Sequence, residues 1–238
     1  MKCKITLLFM VCVSIANAQT VKLFNPGSKA SFRGLSVVSD NIVWVSGSAG
    51  TVGRTTNGGE TWTWMTVKGF EKADFRDIEA FDDKTAIIMG IADPAYILKT
   101  TDGGANWNEV FKDSTKGMFL DAMDFWDEKR GVVIGDPING KIFLAQTIDG
   151  GDNWREMKAN TFAVDSGEAC FASSGTNIRK INYIANVYVT GGKAAHIFIR
   201  NEKRELPIVQ GSESTGANSI GVKDTHSFIV VGGDFNKK

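Results

Sequence analysis

One turn is written three times in the chain: Thr56-Asn57-Gly58-Gly59-Glu60-Thr61-Trp62, Thr101-Asp102-Gly103-Gly104-Ala105-Asn106-Trp107 and Ile148-Asp149-Gly150-Gly151-Asp152-Asn153-Trp154. The three tryptophans lie 45 and 47 residues apart, and a period of this size is typical of an array of one supersecondary unit. Asn or Asp can fold its side chain back onto the backbone, and two glycines supply positive φ, so each stretch predicts a structural β-hairpin turn. We expect each tryptophan to begin the next strand and to bury its ring between neighbouring units.

The residues around these turns repeat as well. Each turn is preceded by an inner strand, such as Phe75-Arg76-Asp77-Ile78, and by an apolar strand that ends near glycine, such as 85–90. With the strands on either side of the turn this makes four strands per repeat, which is typical of a β-propeller blade. The predicted fold is therefore an all-β propeller of four-stranded antiparallel blades, with about five blades present, at 30–67, 73–112, 118–159, 167–209 and, in part, 216–238.

The last two repeats are degenerate. The fourth is predicted to begin with Glu168-Ala169-Cys170-Phe171, and Asn201-Glu202-Lys203 replaces its turn. The fifth has strands near 217–222 and 227–233 and then stops, so we expect an incomplete ring, cut short at its C-terminal end, rather than a compact five-bladed toroid. Because unpaired strand edges recruit other strands, self-association through the open blade edge is expected.

Charged residues recur on the face opposite the repeated turns. Asp93, Asp136 and Asp234 follow the second strand of their repeats, while Arg33, Arg76 and Glu168 head inner strands, with Asp77 and Asp121 one residue further on in their repeats. A propeller would gather these side chains around the mouth of its channel, where arginine beside carboxylate is suited to recognising anions or carboxylates. Two interpretations stay open: a ligand- or partner-binding face, or Asp-Pro turns and ion pairs between blades.

The N-terminus predicts export. Lys2 and Lys4 precede the apolar stretch 5–15, and Ala16-Asn17-Ala18 is a cleavage signal before Gln19, so residues 1–18 are predicted to be a secretory signal peptide and 19–238 the propeller domain of a secreted or periplasmic protein. The apolar stretch is too short to span a bilayer. Cleavage would leave Cys170 as the one cysteine, which we expect to be a small buried hydrophobe rather than a reactive thiol.

Composition and motifs exclude several classes of function. The formal net charge is zero, which argues against nucleic acid as a partner. His196 and His226 with one cysteine form no zinc pattern, and no phosphate loop or dinucleotide fingerprint occurs, so we predict no catalytic residue, no metal site and no cofactor. Calcium at the aspartates is chemically conceivable, but its ligands would come from separate blades.

The pattern Thr-x-Asp/Asn-Gly-Gly-x-x-Trp resembles the Asp-box, or BNR, repeat of sialidase-like propellers, and more closely the photosystem II stability/assembly-factor family with its secreted bacterial relatives. The Gly-His and Trp-Asp pairs of WD repeats are absent. Kelch repeats also carry a double glycine, but here the pair follows Asn or Asp in a tight turn, with Trp three residues further on. The resemblance covers roughly 32–234 and implies a propeller that holds a protein partner or ligand without catalysis, although one fold hosts many activities. The alternative is a sialidase-like hydrolase acting on glycans. That chemistry needs a paired Tyr and Glu, and none of Tyr96, Tyr183 and Tyr188 has such a partner in register.

Overall fold

The computed structural model describes residues 27–91, 94–158, 162–182, 185–200 and 202–237. These residues form five four-stranded sheets and no α-helix. The strand pairs are antiparallel. In the described part of the chain, no helix has the length and hydropathy needed to cross a membrane.

The first three sheets are consecutive and share one order, from the inner strand outward. They are β1–β4, β5–β8 and β9–β12, and their third and fourth strands flank the repeated turn. The bounds are β1 Phe32–Val37, β2 Val43–Gly47, β3 Thr51–Thr55, β4 Thr63–Thr66, β5 Phe75–Ala80, β6 Ala86–Gly90, β7 Ala95–Thr100, β8 Asn108–Asp113, β9 Leu120–Phe125, β10 Gly131–Ile138, β11 Lys141–Thr147 and β12 Arg155–Glu156.

The fourth and fifth sheets interleave along the chain. The fourth has the order β14-β15-β17-β18 and the fifth β13-β16-β19-β20. Their bounds are β13 Glu168–Ala169, β14 Ile178–Lys180, β15 Asn186–Val189, β16 Gly191–Gly192, β17 His196–Ile199, β18 Glu202–Glu205, β19 Thr215–Asp224 and β20 Ser227–Asp234.

The inner strand of the fourth sheet differs from the one that the sequence predicted. The strand predicted at 168–171 is not the inner strand, which is β14; Glu168 and Ala169 pair instead with Gly192 and Gly191. The reason lies in three glycines: Gly191 also pairs with Gly216, and a Cβ added at Gly216 would collide with the Gly191 backbone. Without side chains these backbones approach closely enough to join β13 and β16 to the β19–β20 hairpin.

The core consists of apolar layers between neighbouring sheets. The inner strands pack in series, β1 on β5, β5 on β9, β9 on β14 and β14 on β19. Within the described residues the sheets do not close into a ring. Accordingly, Leu35 and Val37 on β1 are 65% exposed, and Ile229 and Val231 on β20 are 70% and 54% exposed.

Candidate functional site

The three repeated turns are held by a buried threonine that precedes them. In the second turn the Thr100 hydroxyl donates to Asp102 Oδ1 at 2.9 Å and accepts from the Gly104 amide at 3.0 Å. Asp102 Oδ1 also accepts from the Asn106 amide at 2.9 Å, and both glycines have positive φ. The turns after β3 and β11 repeat this arrangement through Thr55 with Asn57, Gly58 and Gly59, and through Thr147 with Asp149, Gly150 and Gly151. These groups satisfy one another within the turn, so the Asp-box is structural.

The Asp-box carboxylates are stabilised as anions. Hydrogen bonds from Asn106 lower the pKa of Asp102 to about 2, and hydrogen bonds from Asn153 lower that of Asp149 to about 2. Neither carboxylate is a candidate acid or base at neutral pH.

The Asp-box tryptophans are half-buried. Trp107 packs on the core between the first and second sheets, and Trp154 packs on the core between the second and third, at 5.9 Å from the Phe125 ring. Trp62 instead stacks on Trp64, which stacks on Phe32, over the exposed face of the first sheet. Packing between sheets is thus found for two of the three.

Several inner strands carry a β-bulge, and some of the candidate site residues lie in these bulges. The register shifts leave Arg33 in β1, Arg76 in β5 and Asp121 in β9 without an opposite residue, and in β19 the same shift falls at Asn218. A bulge turns its residue out of the regular alternation of the strand. The bulges therefore form a column at the amino ends of these inner strands.

Carboxyl groups of the inner strands and of β10 join one sheet to the next. Asp77 accepts from the Met123 amide at 2.8 Å, Asp124 from the Lys180 amide at 2.5 Å and Asp136 from the Cys170 amide at 2.9 Å. Burial raises the pKa of Asp77 to about 8 and raises those of Asp124 and Asp136, although the amide bonds act in the opposite direction. Two of the candidate site residues, Asp77 and Asp136, therefore have a structural partner.

Asp121 lies in the column without such a partner. Its side chain is fully buried, and neither carboxylate oxygen has a well-formed hydrogen bond among the described residues, although the Ala172 amide lies close enough to lower its pKa. Burial, then the charge of Asp136, raises the pKa of Asp121 well above its ordinary value, against the opposing charge of Arg76.

The chain itself crosses the column between β13 and β14. Within this segment, residues 170–176, the Cys170 amide binds Asp136 and the Ser174 hydroxyl donates to the Asn218 carbonyl at 2.6 Å. Gly175 lies against the Asp77 carboxylate. Cys170 is buried, and burial raises the pKa of its thiol, as expected for a small buried hydrophobe. We call this segment the strap.

Glu168 belongs to a separate buried cluster beside the strap. Its carboxylate lies 3.0 Å from His196 Nδ1 and 3.2 Å from Lys203 Nζ, which also contacts Asp165 at 3.1 Å. Atoms of Asp165, Glu168 and His196 lie close enough together to hold a metal ion. The Lys203 ammonium bridges both carboxylates and balances one of their two negative charges.

The remaining candidates have other surroundings. Arg33 is exposed at the outer face of the first sheet, and Arg76 pairs with Asp74 at 3.0 Å. Asp234 accepts from Ser214 at 2.7 Å at the far end of the series. The strand register shows that Asp234 and Asp136 do not occupy equivalent positions. Gly135 opposes Leu120, and Gly232 opposes Ala217, the residue equivalent to Leu120. Asp234 therefore lies one residue beyond the position of Asp136. Asp93 lies outside the described residues.

A charged pocket that the sequence analysis missed lies at the carboxyl ends of β9, β14 and β19. It has a volume of about 700 Å³ and is lined by Asp124, Trp126, Arg179, Lys180, Ile181, Asn182 and Val222. Arg179 acts electrostatically on Asp77, Glu79 and Asp124, and burial raises the pKa of Glu79 to about 7. The sequence contains a signal that could have revealed this pocket. Glu79 and Asp124 each follow the bulge residue of their inner strand by three positions, so the alternation of side chains along a strand places both on the same face.

The comparisons with known proteins agree with this architecture. Residues 28–116 match the model of a family described as photosynthesis system II assembly factor YCF48. No curated protein matches the sequence. Among solved structures, YCF48 from Cyanidioschyzon merolae is 14% identical, with 86% of this chain and 80% of that chain covered and a TM-score of 0.52.

Two further structures are similar. An ancestral GH74 enzyme is 13% identical, with 87% of this chain but 29% of that chain covered and a TM-score of 0.56. A structure of YCF48 bound to D1 peptide is 16% identical, with 92% and 82% covered and a TM-score of 0.47. At these identities the structural likeness concerns the fold alone. With its Asp-box turns and the family match over 28–116, the chain is a BNR-type β-propeller similar to the photosystem II assembly factors.

Proposed function

We propose that the chain is a non-catalytic scaffold that holds a segment of a protein partner at the pocket formed by β9, β14 and β19. The observation that carries this proposal is the contrast between two groups of polar residues. At the amino ends of the inner strands, the strap and the amide bonds of Asp77 and Asp136 occupy the carboxylates. At the carboxyl ends, the Asp124 carboxylate also accepts an amide, but charged and aromatic side chains there line a pocket of about 700 Å³.

This pocket has the chemistry of a peptide-binding site. Arg179 and Lys180 lie with Asp124 beside the Trp126 ring, so the pocket offers both signs of charge and an aromatic wall. The volume is within the range of ligand-binding pockets, and the lining combines charged with apolar side chains. The family model matched by residues 28–116 describes an assembly factor, and assistance to assembly requires contact with another protein.

The alternative, a sialidase-like hydrolase acting on glycans, has weaker support. A tyrosine nucleophile requires a neighbouring base that activates it. Burial raises the pKa of Tyr188, and its ring stacks on Phe198 at 4.7 Å. Tyr96 packs edge-on against Phe70, with the Lys112 ammonium over its ring. Tyr183 lies outside the described residues.

Export belongs to the same proposal. The signal sequence 1–18 lies outside the described residues, and the basic, apolar and Ala-x-Ala segments of the sequence support cleavage after Ala18. A secreted or periplasmic scaffold would act on partners in that compartment.

The binding proposal is tested by comparative affinity capture with the chain 19–238. Val222→Arg places a long cation in the pocket, and Val209→Arg, at an exposed position outside it, is the matched control. We expect the wild type and Val209→Arg to capture the same protein in equal amounts. Val222→Arg should capture at least fivefold less of that protein. Equal capture by all three chains would contradict the assigned pocket.

A further inference from the structure

Neighbouring sheets meet along a junction, and at two of the junctions an Asp-box packs over its outer edge, which we call the rim. Between the first and second sheets, a Cβ at Gly104 would collide with the Met65 sulfur, and Trp107 packs on the shared core. Between the second and third, a Cβ at Gly151 would collide with Ile87, and Trp154 packs on the shared core. In both junctions the Asp-box of the later sheet contacts the earlier sheet directly.

A cation of the earlier sheet completes each of these two junctions. Arg54 in β3 donates to the Asp83 carbonyl and lies against Gly103 of the next Asp-box. Lys99, at the equivalent position of β7, contacts Asp152 of the next Asp-box at 2.7 Å. The equivalent residue of β11 is Gln146, since Gln146 opposes Val132 as Lys99 opposes Ile87.

The junction between the third and fourth sheets is different. Ile199 of β17 pairs with Glu202 of β18, so a tight turn replaces the Asp-box, and Arg200 has a φ of 55° where the other sheets have the Asp-box threonine. A cavity of about 430 Å³ lies at this junction, and its lining includes Trp126, Gln146, Met157, Phe162, Tyr188 and Arg200. The cavity thus lies where the Asp-box tryptophan packs in the two preceding junctions.

We propose that this rim cavity binds an aromatic side chain, with a carboxylate next to it, from a polypeptide partner. The aromatic and Met walls match an indole or phenyl ring. Arg200, which belongs to the later sheet and not to the position of Lys99, supplies a cation for the carboxylate. The Tyr188 hydroxyl is buried without a hydrogen-bond partner among the described residues, which leaves a donor for a bound polar group. This inference rests on the proposed scaffold function and adds a second contact site for the same partner class.

The test uses a peptide that copies the chain's own Asp-box. A peptide with the sequence of Ile148–Trp154, acetylated and amidated at its ends, is titrated into the chain 19–238 by calorimetry. We expect a Kd on the order of 0.1–1 mM, as is ordinary for one anchor residue. Replacing the peptide's tryptophan by alanine should weaken binding at least tenfold, and replacing the aspartate equivalent to Asp152 by asparagine should weaken it severalfold.

Variants of the protein locate the binding. Gln146→Trp fills the cavity and should weaken binding of the peptide at least tenfold, whereas Ile148→Trp, at an exposed neighbouring position, should leave it unchanged. Arg200→Glu should weaken binding of the aspartate peptide more than that of the asparagine peptide, and the melting temperature of each variant reports its folding. No binding by the wild type, or equal affinity in Gln146→Trp, would overturn the inference. A partner that Val222→Arg releases and Gln146→Trp retains would leave the scaffold function intact.

Discussion

The Asp77 carboxylate of β5 accepts a hydrogen bond from the Met123 amide of β9 at 2.8 Å, and through it one blade is joined to the next. Asp124 accepts a hydrogen bond from the Lys180 amide in the same way. Between the first and second sheets, the Ser36 hydroxyl takes this role and accepts from the Ala80 amide at 3.0 Å. Because a buried backbone amide needs an acceptor, a polar residue at this place stabilises the junction.

The first prediction concerns the pH dependence of stability. Burial raises the pKa values of Asp77 and Glu79 to about 8 and about 7, so their contribution is present at low pH and is lost as the pH rises through 7 and 8. The lowered pKa values of Asp102 and Asp149 act in the opposite sense, since their contribution is lost as the pH falls from about 4 to 2. We expect a higher melting temperature at pH 5 than at pH 9 or pH 2.

The Asp121 carboxyl provides a specific check on this pH dependence. Asp121→Asn removes a buried acid and should stabilise the fold more at pH 8 than at pH 4, because burial raises the pKa of Asp121 and makes its ionisation in the folded state costly. Urea unfolding at both pH values measures this, with Glu213→Gln as the control at an exposed position. Equal effects at the two pH values would show that Asp121 does not titrate with folding.

The second prediction concerns the Asp-box tryptophans. Trp107→Ala should reduce the free energy of unfolding by about 2–4 kcal/mol, because the ring packs on the core between two sheets but is only half-buried. Trp62→Ala is the matched control, since Trp62 packs on the exposed face of the first sheet and should cost less. Equal losses in urea melts would contradict the assigned difference in packing.

The sequence predicted the repeating part of the fold because the information there is local. Thr100, Asp102 and Gly104 satisfy one another within five residues, and the turns recur with a fixed period. The fourth sheet was assigned a wrong inner strand because its true strand, β14, spans three residues and the glycine contact at Gly216 is distant in the chain.

The candidate site was harder to predict than the fold. Residue type placed Asp77 and Asp136 near the channel, but their amide partners, Met123 and Cys170, lie 46 and 34 residues away in the chain. Whether such a carboxylate is open to a ligand or already bonded depends on these long-range contacts. The strap over the bulge column could not be inferred from residue type for the same reason.

The third prediction concerns self-association. Leu35 and Val37 are exposed at one end of the series of sheets, and Ile229 and Val231 at the other. Exposed apolar sheet faces promote association. Light scattering on 19–238 should show a mass that rises with concentration, and Val37→Lys with Val231→Lys should reduce it. A monomer at all concentrations would contradict this expectation.

The fourth prediction concerns export. If the signal sequence is cleaved after Ala18, the protein recovered from a periplasmic or secreted fraction begins at Gln19, and N-terminal mass spectrometry detects this directly. Ala18→Arg should block cleavage and leave a longer chain, because signal peptidase requires a small residue there. Recovery of the chain with Met1 only in the cytoplasmic fraction would refute export.

The most direct test of the central claim, a scaffold without catalysis, is a turnover measurement. Purified 19–238 is incubated with a fluorogenic sialoside and a panel of other fluorogenic glycosides, beside the variant Arg33→Ala, which removes an exposed arginine of the bulge column. The scaffold account predicts that both proteins release fluorophore no faster than buffer alone. Release by the wild type that is lost in Arg33→Ala would contradict it and establish a glycoside hydrolase.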